Sequence, residues 1–328
     1  MIICIGEAVI DMFHTPVSGT GEVFLPLPGG CAYNTSIAVG RLGAPVTFLG
    51  RLSTNFFGEI QINRLRENNV NDKLIIRCGQ NPVLAFIKVE ECKEPQYAFY
   101  DEATADRLLS PEELPPLPAD TSCLMFGSIS MSMEPIATTI ESLIFKEANQ
   151  KVIAFDPNIR PFMIKDRAAY LKRFEKWVSV STIVKISLED FEYIDSKPQT
   201  DSSSEKTSID NYENEALAKL TVMGARLAII TLGPNGCKAK LRRDDGSTVT
   251  ASSPGIPVAN LVDTVGAGDT FLGALLSWLE LNGKMSHNAI AGLSEDELQT
   301  ALAFANKAAS IVCARHGAEP PTAVEMSN

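Results

Sequence analysis

Cys123-Leu124-Met125-Phe126, Val152-Ile153-Ala154-Phe155, Ile183-Val184-Lys185-Ile186 and Leu227-Ala228-Ile229-Ile230-Thr231-Leu232 are the four short runs that decide the fold. Each is a nearly continuous apolar stretch of strand length, the composition of a strand buried on both faces. Between them lie helical stretches, over 134 to 148 and 166 to 177, with a further helix before the last run. Strand and helix in alternation mean βαβ units and a mostly parallel sheet covered on both faces, a three-layer α/β/α architecture. Ile2-Ile3-Cys4-Ile5-Gly6 adds a buried strand at the start of the chain. After it come a helix over 31 to 42 stopped by Gly43, a strand from Pro45 to Gly50, and an amphipathic helix from Phe57 to Asn68.

Two stretches leave this pattern. Residues 12 to 28 mix Pro, Gly, Ser and Thr with short apolar pieces, and 82 to 101 read as two strands joined by a charged turn at 90 to 95. Together they predict a small β-sheet outside the main one. Residues 195 to 214, with Ser202-Ser203-Ser204 and few apolar positions, read as a solvated polar insertion loop. There is no internal repeat, so 1–328 reads as one domain.

The 328 residues are 45% apolar and 21% charged, enough to bury a large core. With 29 basic against 40 acidic residues the net charge is -11, and that field opposes nucleic acid and anionic membrane as partners. An anionic ligand has to be held locally, by helix N-termini, backbone N–H groups or a metal ion. The seven cysteines are scattered without a C-x-x-C pair, which fits neither a zinc framework nor a secreted disulfide scaffold. Glu7 and Asp11 interrupt the first apolar stretch and no Lys or Arg precedes Arg41, so a signal peptide is not expected. No apolar run approaches the ~18 residues of a membrane span. The expected setting is cytoplasmic.

The local device appears at Asp263-Thr264-Val265-Gly266-Ala267-Gly268-Asp269-Thr270, followed by the apolar helix Phe271 to Leu279. Glycines at a helix start let backbone N–H groups approach an anion, and the helix dipole adds positive potential without a single Lys. Asp269, in the first turn, is expected to stay ionised beside that dipole, as a general base must. A second string, Gly29-Gly30-Cys31-Ala32-Tyr33-Asn34-Thr35-Ser36, opens another helix on two glycines, with an amide side chain able to donate to and accept from hydroxyls.

These strings, with Gly6 to Asp11 at the end of the first strand, resemble the ribokinase-like (PfkB) family of sugar and nucleoside kinases from Ile3 to about Thr322. Gly6-Glu7-Ala8-Val9-Ile10-Asp11, Ala105 to Leu114 and Phe155-Asp156-Pro157-Asn158-Ile159-Arg160-Pro161 are similar to the bacterial fructokinase branch. The resemblance implies a ribokinase-like fold whose small sheet is a lid, with the sugar bound between lid and main sheet. It implies Asp269 as the base, Gly266, Ala267 and Gly268 as the anion hole for the γ-phosphoryl group, and Asp11, Gly29, Gly30, Asn34, Tyr97, Phe99 and Arg160 around the sugar. Lys185, Thr231, Gly233, Gly236 and Asn306 fall on the ATP side. ATP and Mg²⁺ are the implied cofactors, K⁺ is left open, and a homodimer through the lid fits the family.

The reaction implied is transfer of phosphate from ATP to the 6-hydroxyl of D-fructose. The alternatives are a kinase of this family acting on ribose, 2-keto-3-deoxygluconate or a nucleoside, and a sugar-binding sensor without catalysis. Ser187-Leu188-Glu189-Asp190 stands where the family has a magnesium-supporting Asn-x-x-Glu; Asp190 is the residue at the metal-supporting position, with a shorter reach than Glu, and Glu189 is either its substitute or simply solvated. Thr231-Leu232-Gly233-Pro234-Asn235-Gly236 is either the nucleotide-side turn or an ordinary hairpin turn. Tyr97, Phe99 and Phe13 read equally as a sugar platform or as core aromatics. Asp101 stands where many relatives carry Arg, and its charge argues against an acid sugar; Arg160 and Arg107 argue the other way. Asp106 and Arg107 read as a surface ion pair, and His316 as a cation closing a long helix before Gly317. No G-x-x-x-x-G-K-[ST] string occurs, and Gly6-Glu7-Ala8 is not a dinucleotide-binding G-x-G-x-x-G.

Overall fold

A computed structural model describes residues 1–16, 21–88, 96–195 and 205–327. The strands are β1 (Ile2–Ile5), β2 (Val9–Pro16), β3 (Glu22–Gly29), β4 (Val46–Ser53), β5 (Ile75–Cys78), β6 (Leu84–Lys88), β7 (Gln96–Tyr100), β8 (Cys123–Gly127), β9 (Val152–Asp156), β10 (Ile183–Ser187), β11 (Leu227–Thr231), β12 (Gly236–Arg242) and β13 (Thr248–Pro254). The helices are α1 (Cys31–Arg41), α2 (Phe56–Glu67), α3 (Ile136–Glu147), α4 (Arg167–Val180), α5 (Leu188–Asp195), α6 (Glu205–Met223), α7 (Ala267–Leu281), α8 (His287–Ala291), α9 (Glu295–Val312) and α10 (Ala323–Ser327).

Nine strands form one sheet in the order β13-β12-β11-β10-β9-β8-β1-β4-β5. From β5 through β11 every pairing is parallel; β12 and β13 close one edge antiparallel. The continuous apolar runs are explained by their two-sided burial. Ile2 and Cys4 of β1 enter the core shared with α1, α7 and α9, whereas Ile3 and Ile5 enter the core shared with α3, α4 and α6. Cys123 and Met125 separate from Leu124 and Phe126 in β8 in the same way.

The expected second sheet is present, in the order β3-β2-β6-β7. Its two hairpins join through a parallel pairing of β2 with β6, Asp11 opposite Ala85. Residues 17–20 and 89–95, the tips of both hairpins, lie outside the described residues, so the charged turn is not seen.

Two elements depart from expectation. Residues 205–214 are the first half of α6 rather than a polar loop, and 196–204 lie outside the described residues. The stretch Glu205-Lys206-Thr207-Ser208-Ile209-Asp210-Asn211 has a single apolar residue, so the sequence there carries no amphipathic signal. Helix α9 ends at Val312, ahead of His316, because Val262 N–H donates to Cys313 O (2.9 Å) and Gly317 N–H to Asp263 Oδ2 (3.1 Å), which turns the chain early.

Candidate active site

Beneath the lid, at the carboxyl ends of the parallel strands, lies a cavity of about 510 Å³, the place where doubly wound sheets bind ligands. Asp11 and Phe13 reach it from β2, Phe99 from β7, Gly30 and Asn34 from the start of α1, Asn158 and Arg160 from the loop after β9, and Thr264 to Gly266, Gly268 and Asp269 from the start of α7. Residues 258 positions apart in sequence, Asp11 and Asp269, thus share one wall.

Gly266 caps α7 at φ 74, the left-handed region, and a Cβ there would come 2.5 Å from Ala318 Cβ. Only glycine makes this turn against the chain at 318. Ala267 N–H donates to Thr264 O (3.2 Å) and Thr270 N–H to Gly266 O (2.8 Å), while the first-turn N–H groups of Gly268 and Asp269 have no backbone carbonyl partner. Among the described residues the turn thus leaves two first-turn N–H groups unused by the backbone, while Ala267 N–H is taken up by Thr264 O. A Cβ on Gly268 would stand 2.8 Å from Lys185 Nζ, which places that ammonium directly beneath this turn. Lys185 is 4% exposed and donates to Asp156 Oδ2 at 2.8 Å.

Asp269 is 6% exposed. Its Oδ2 accepts from Asn34 Nδ2 (2.9 Å) and its Oδ1 from Asn158 Nδ2 at the long distance of 3.5 Å. Burial raises its pKa, against the opposing pull of Asn34, Cys31, Lys185 and Arg160. The helix dipole and these partners favour the ionised form, while removal of the carboxylate from water works against it. Asp11 is pushed up to about 7 by burial, with Arg160 pulling it back and Asp269 adding to the rise.

Glu7, 1% exposed, braces the wall: its Oε1 accepts from Cys31 N–H (3.0 Å) at the start of α1, and its Oε2 meets the Ser130 hydroxyl. A carboxylate on the first N–H groups of a helix is the favourable side of its dipole. Gly29 lies behind the wall, buried against Asp11. Tyr97 belongs to β7 opposite Ile87, but its side chain lies outside the described residues. Phe99 lines the cavity and packs on Phe162 with ring centroids 5.2 Å apart.

On the ATP side, Thr231 ends β11 next to Ser187 of β10, and Gly233 and Gly236 form the turn that follows. Asn306 is 8% exposed and its amide donates to Ser253 O (3.1 Å) and Pro254 O (3.4 Å), so it clamps α9 to the end of β13 instead of presenting an open donor. Asp190 Oδ1 accepts from Ile159 N–H (2.9 Å) and fixes the loop that carries Asn158 and Arg160. Glu189, not Asp190, is exposed at the cavity wall.

Asp101 and Asp106 need correcting. Asp101 lines a neighbouring cavity beyond Phe99 and pairs with Arg107 at 2.7 Å, so its charge is neutralised and does not face Asp269. Asp106 is no surface partner of Arg107: it is 1% exposed. The reading of the residues missed Asn158, whose positive φ of 38 turns its amide toward Asp269, and Asp156, which seats Lys185. Both stand in the run around Arg160, so the signal was the motif, not the spacing.

A profile of the pfkB family carbohydrate kinases matches residues 1–324. The chain belongs to that family. The "Fructokinase" of Rhizobium leguminosarum bv. trifolii is 35% identical over 91% of this chain and 86% of its own. "Fructokinase-1" of Zea mays is 31% identical over 99% and 96%. Among solved structures, the fructokinase of Xylella fastidiosa with bound ATP superposes with a TM-score of 0.84 at 25% identity, covering 99% of this chain and 96% of that one. The fructokinase of Vibrio cholerae O395, bound to fructose, ADP and a calcium ion, has a TM-score of 0.76 at 21% identity over 97% and 94%, a likeness of fold. As a pfkB kinase the protein is a carbohydrate phosphotransferase of ribokinase-like fold with a lid sheet. Among the described residues no helix is long and apolar enough to cross a membrane.

Proposed function

We propose that this kinase transfers the γ-phosphoryl group of ATP to the 6-hydroxyl of D-fructose. The observation that carries the chemistry is the position of Asp269: a buried carboxylate held by Asn34, in the same helical turn as two N–H groups without carbonyl partners, above a buried ammonium. The fructokinase relatives matched along most of the chain support fructose as the sugar.

In this reading the sugar lies between lid and sheet, with Asp11, Asn34 and Arg160 engaging its hydroxyls and Phe99 against its apolar face. Asp269 removes the proton of the attacking hydroxyl. Its raised pKa brings it closer to that of its task, since a base works best with a pKa near the working pH. The N–H groups of Gly268 and Asp269 receive the charge that spreads over the phosphoryl oxygens, and Lys185 adds a cation fixed by Asp156 before the reaction begins. Closure of the lid excludes water, the competing acceptor.

ATP enters as its Mg²⁺ complex. Glu189, an exposed carboxylate on the cavity wall, fits a water-held Mg²⁺, whereas Asp190 is taken up by Ile159 N–H. Mg²⁺ supplies neutralisation of the phosphate charges. Thr231 and the Gly233 to Gly236 turn remain the candidates for contact with the rest of the nucleotide.

The deciding experiment is a coupled ADP-release assay over fructose, ribose, 2-keto-3-deoxygluconate and nucleosides. Fructose should give the highest kcat/KM. A higher value for another sugar overturns the substrate, and tight sugar binding by calorimetry with no ADP formed overturns the reaction.

A further inference from the structure

Cys31 is the first residue of α1, is 4% exposed, and borders the cavity beside Asp269. Its Sγ, one carboxylate oxygen of Asp156 and one of Asp269 all lie within 4.8 Å of one another, all three residues buried. That spacing suits soft and borderline divalent ions, which take thiolate and carboxylate ligands together. A second observation points into the same spot. Asp156 uses Oδ2 on Lys185, but its Oδ1 is buried without any hydrogen-bond partner, an orphaned acceptor of the kind that calls for an explanation.

We propose that Cys31, Asp156 and Asp269 form a site for a thiophilic divalent cation of the Zn²⁺ or Cd²⁺ class, distinct from the Mg²⁺ that travels with ATP. Charge supports it. Once the thiol has ionised, the three anionic ligands are balanced by the ion's two charges and the one of Lys185, so the filled site is neutral in a region where an unpaired charge is costly. Mg²⁺, a hard ion that keeps its water, has little use for a thiolate and is discriminated against. Binding releases the Sγ proton to solvent as the metal–sulfur bond forms. Without metal, burial beside Asp269, Asp156 and Glu7 pushes the Cys31 thiol up, so the protein alone keeps it neutral and poorly nucleophilic.

The consequence for activity rests on the proposed role of Asp269. An ion that takes its carboxylate oxygen leaves no base for the sugar hydroxyl, so the ion and the sugar compete for one place. The kinase would be inhibited by trace thiophilic metal and restored by a chelator.

The test titrates Cd²⁺ into the wild-type chain, Cys31→Ser and Cys31→Ala, and follows the thiolate-to-metal absorption in the ultraviolet together with proton release. The wild type should show a saturable absorption and the loss of one proton per ion, both weakened at least tenfold in either variant. Equal signals in wild type and variants, or no thiolate absorption in the wild type, overturn the site. This arm needs no catalysis. Metal bound through Cys31 without inhibition of sugar phosphorylation would leave the site standing and instead count against Asp269 as the base.

Discussion

At the scale of single residues, Asp269 gathers the consequences. It is enclosed, held by Asn34 and Asn158, and raised in pKa by burial. A base acts in its ionised form, so a raised pKa moves the acid limb of kcat to higher pH than an ordinary carboxylate near ~4 would give. Asp269→Asn keeps the shape and removes the charge. It should lower kcat by on the order of 100-fold to 10,000-fold, leave the KM for ATP near its wild-type value, and abolish that acid limb. Steady-state rates across pH check all three, and near-normal turnover in the variant would remove Asp269 from the role. The sequence made Asp269 legible because a carboxylate behind two glycines at a helix start is a chemical pattern in its own right. It could not show the sign of the pKa shift, because burial depends on Asn34 and Asn158, 235 and 111 positions away. The contacts of Asn306 were hidden for the same reason: its partners Ser253 and Pro254 belong to a distant strand end.

At the scale of elements, the start of α7 is held from outside itself. Asp263 Oδ1 accepts from Val265 N–H (3.0 Å) and its Oδ2 from Gly317 N–H (3.1 Å), while Glu319, two residues on, meets Arg41 of α1 and Arg64 of α2. The turn at Gly266 is therefore clamped to the segment after α9. Gly266→Ala places a methyl where Ala318 Cβ already stands and forces an L-residue into the left-handed region at a cost of about 1–2 kcal/mol. In the proposed mechanism the loss falls on the N–H groups that receive the transferring phosphoryl, so kcat should drop by about 100-fold, with a much smaller change in the KM for sugar. Initial-rate kinetics on the folded variant decide it; a wild-type kcat would show that the turn geometry is not needed. Strands and most helices were readable, since a run buried on both faces and an amphipathic stripe are local signals. The first turns of α6 were not, because Glu205 to Asn211 hold one apolar residue and so show no period to detect.

At the scale of the whole molecule, an acidic chain of net charge -11 has withdrawn several of its carboxyl groups from water: Glu7, Asp11, Asp106, Asp156 and Asp269 are all raised, each with burial as the largest cause. A carboxyl whose folded pKa exceeds its unfolded one holds its proton more tightly in the folded chain. Its contribution to stability is complete below the unfolded value and is lost as pH rises through the folded one. The fold should therefore lose stability from about pH 4 to about pH 7 rather than gain it. Asp106 isolates the effect, since it lies outside the proposed machinery, is 1% exposed, and is pushed by burial and Glu7 from 3.8 to about 7 against the smaller pull of Thr104 and the backbone N–H groups of 106 and 107. Asp106→Asn has nearly the same shape and no charge to desolvate. Its advantage over the wild type should grow through that pH window and then level off, reaching at most about 4 kcal/mol for a shift of this size. Thermal unfolding of both proteins at pH 4, 6 and 8.5 reads this directly. An advantage that stays constant with pH, or a variant that is less stable at pH 8.5, would mean that Asp106 is ionised and solvated in the folded chain.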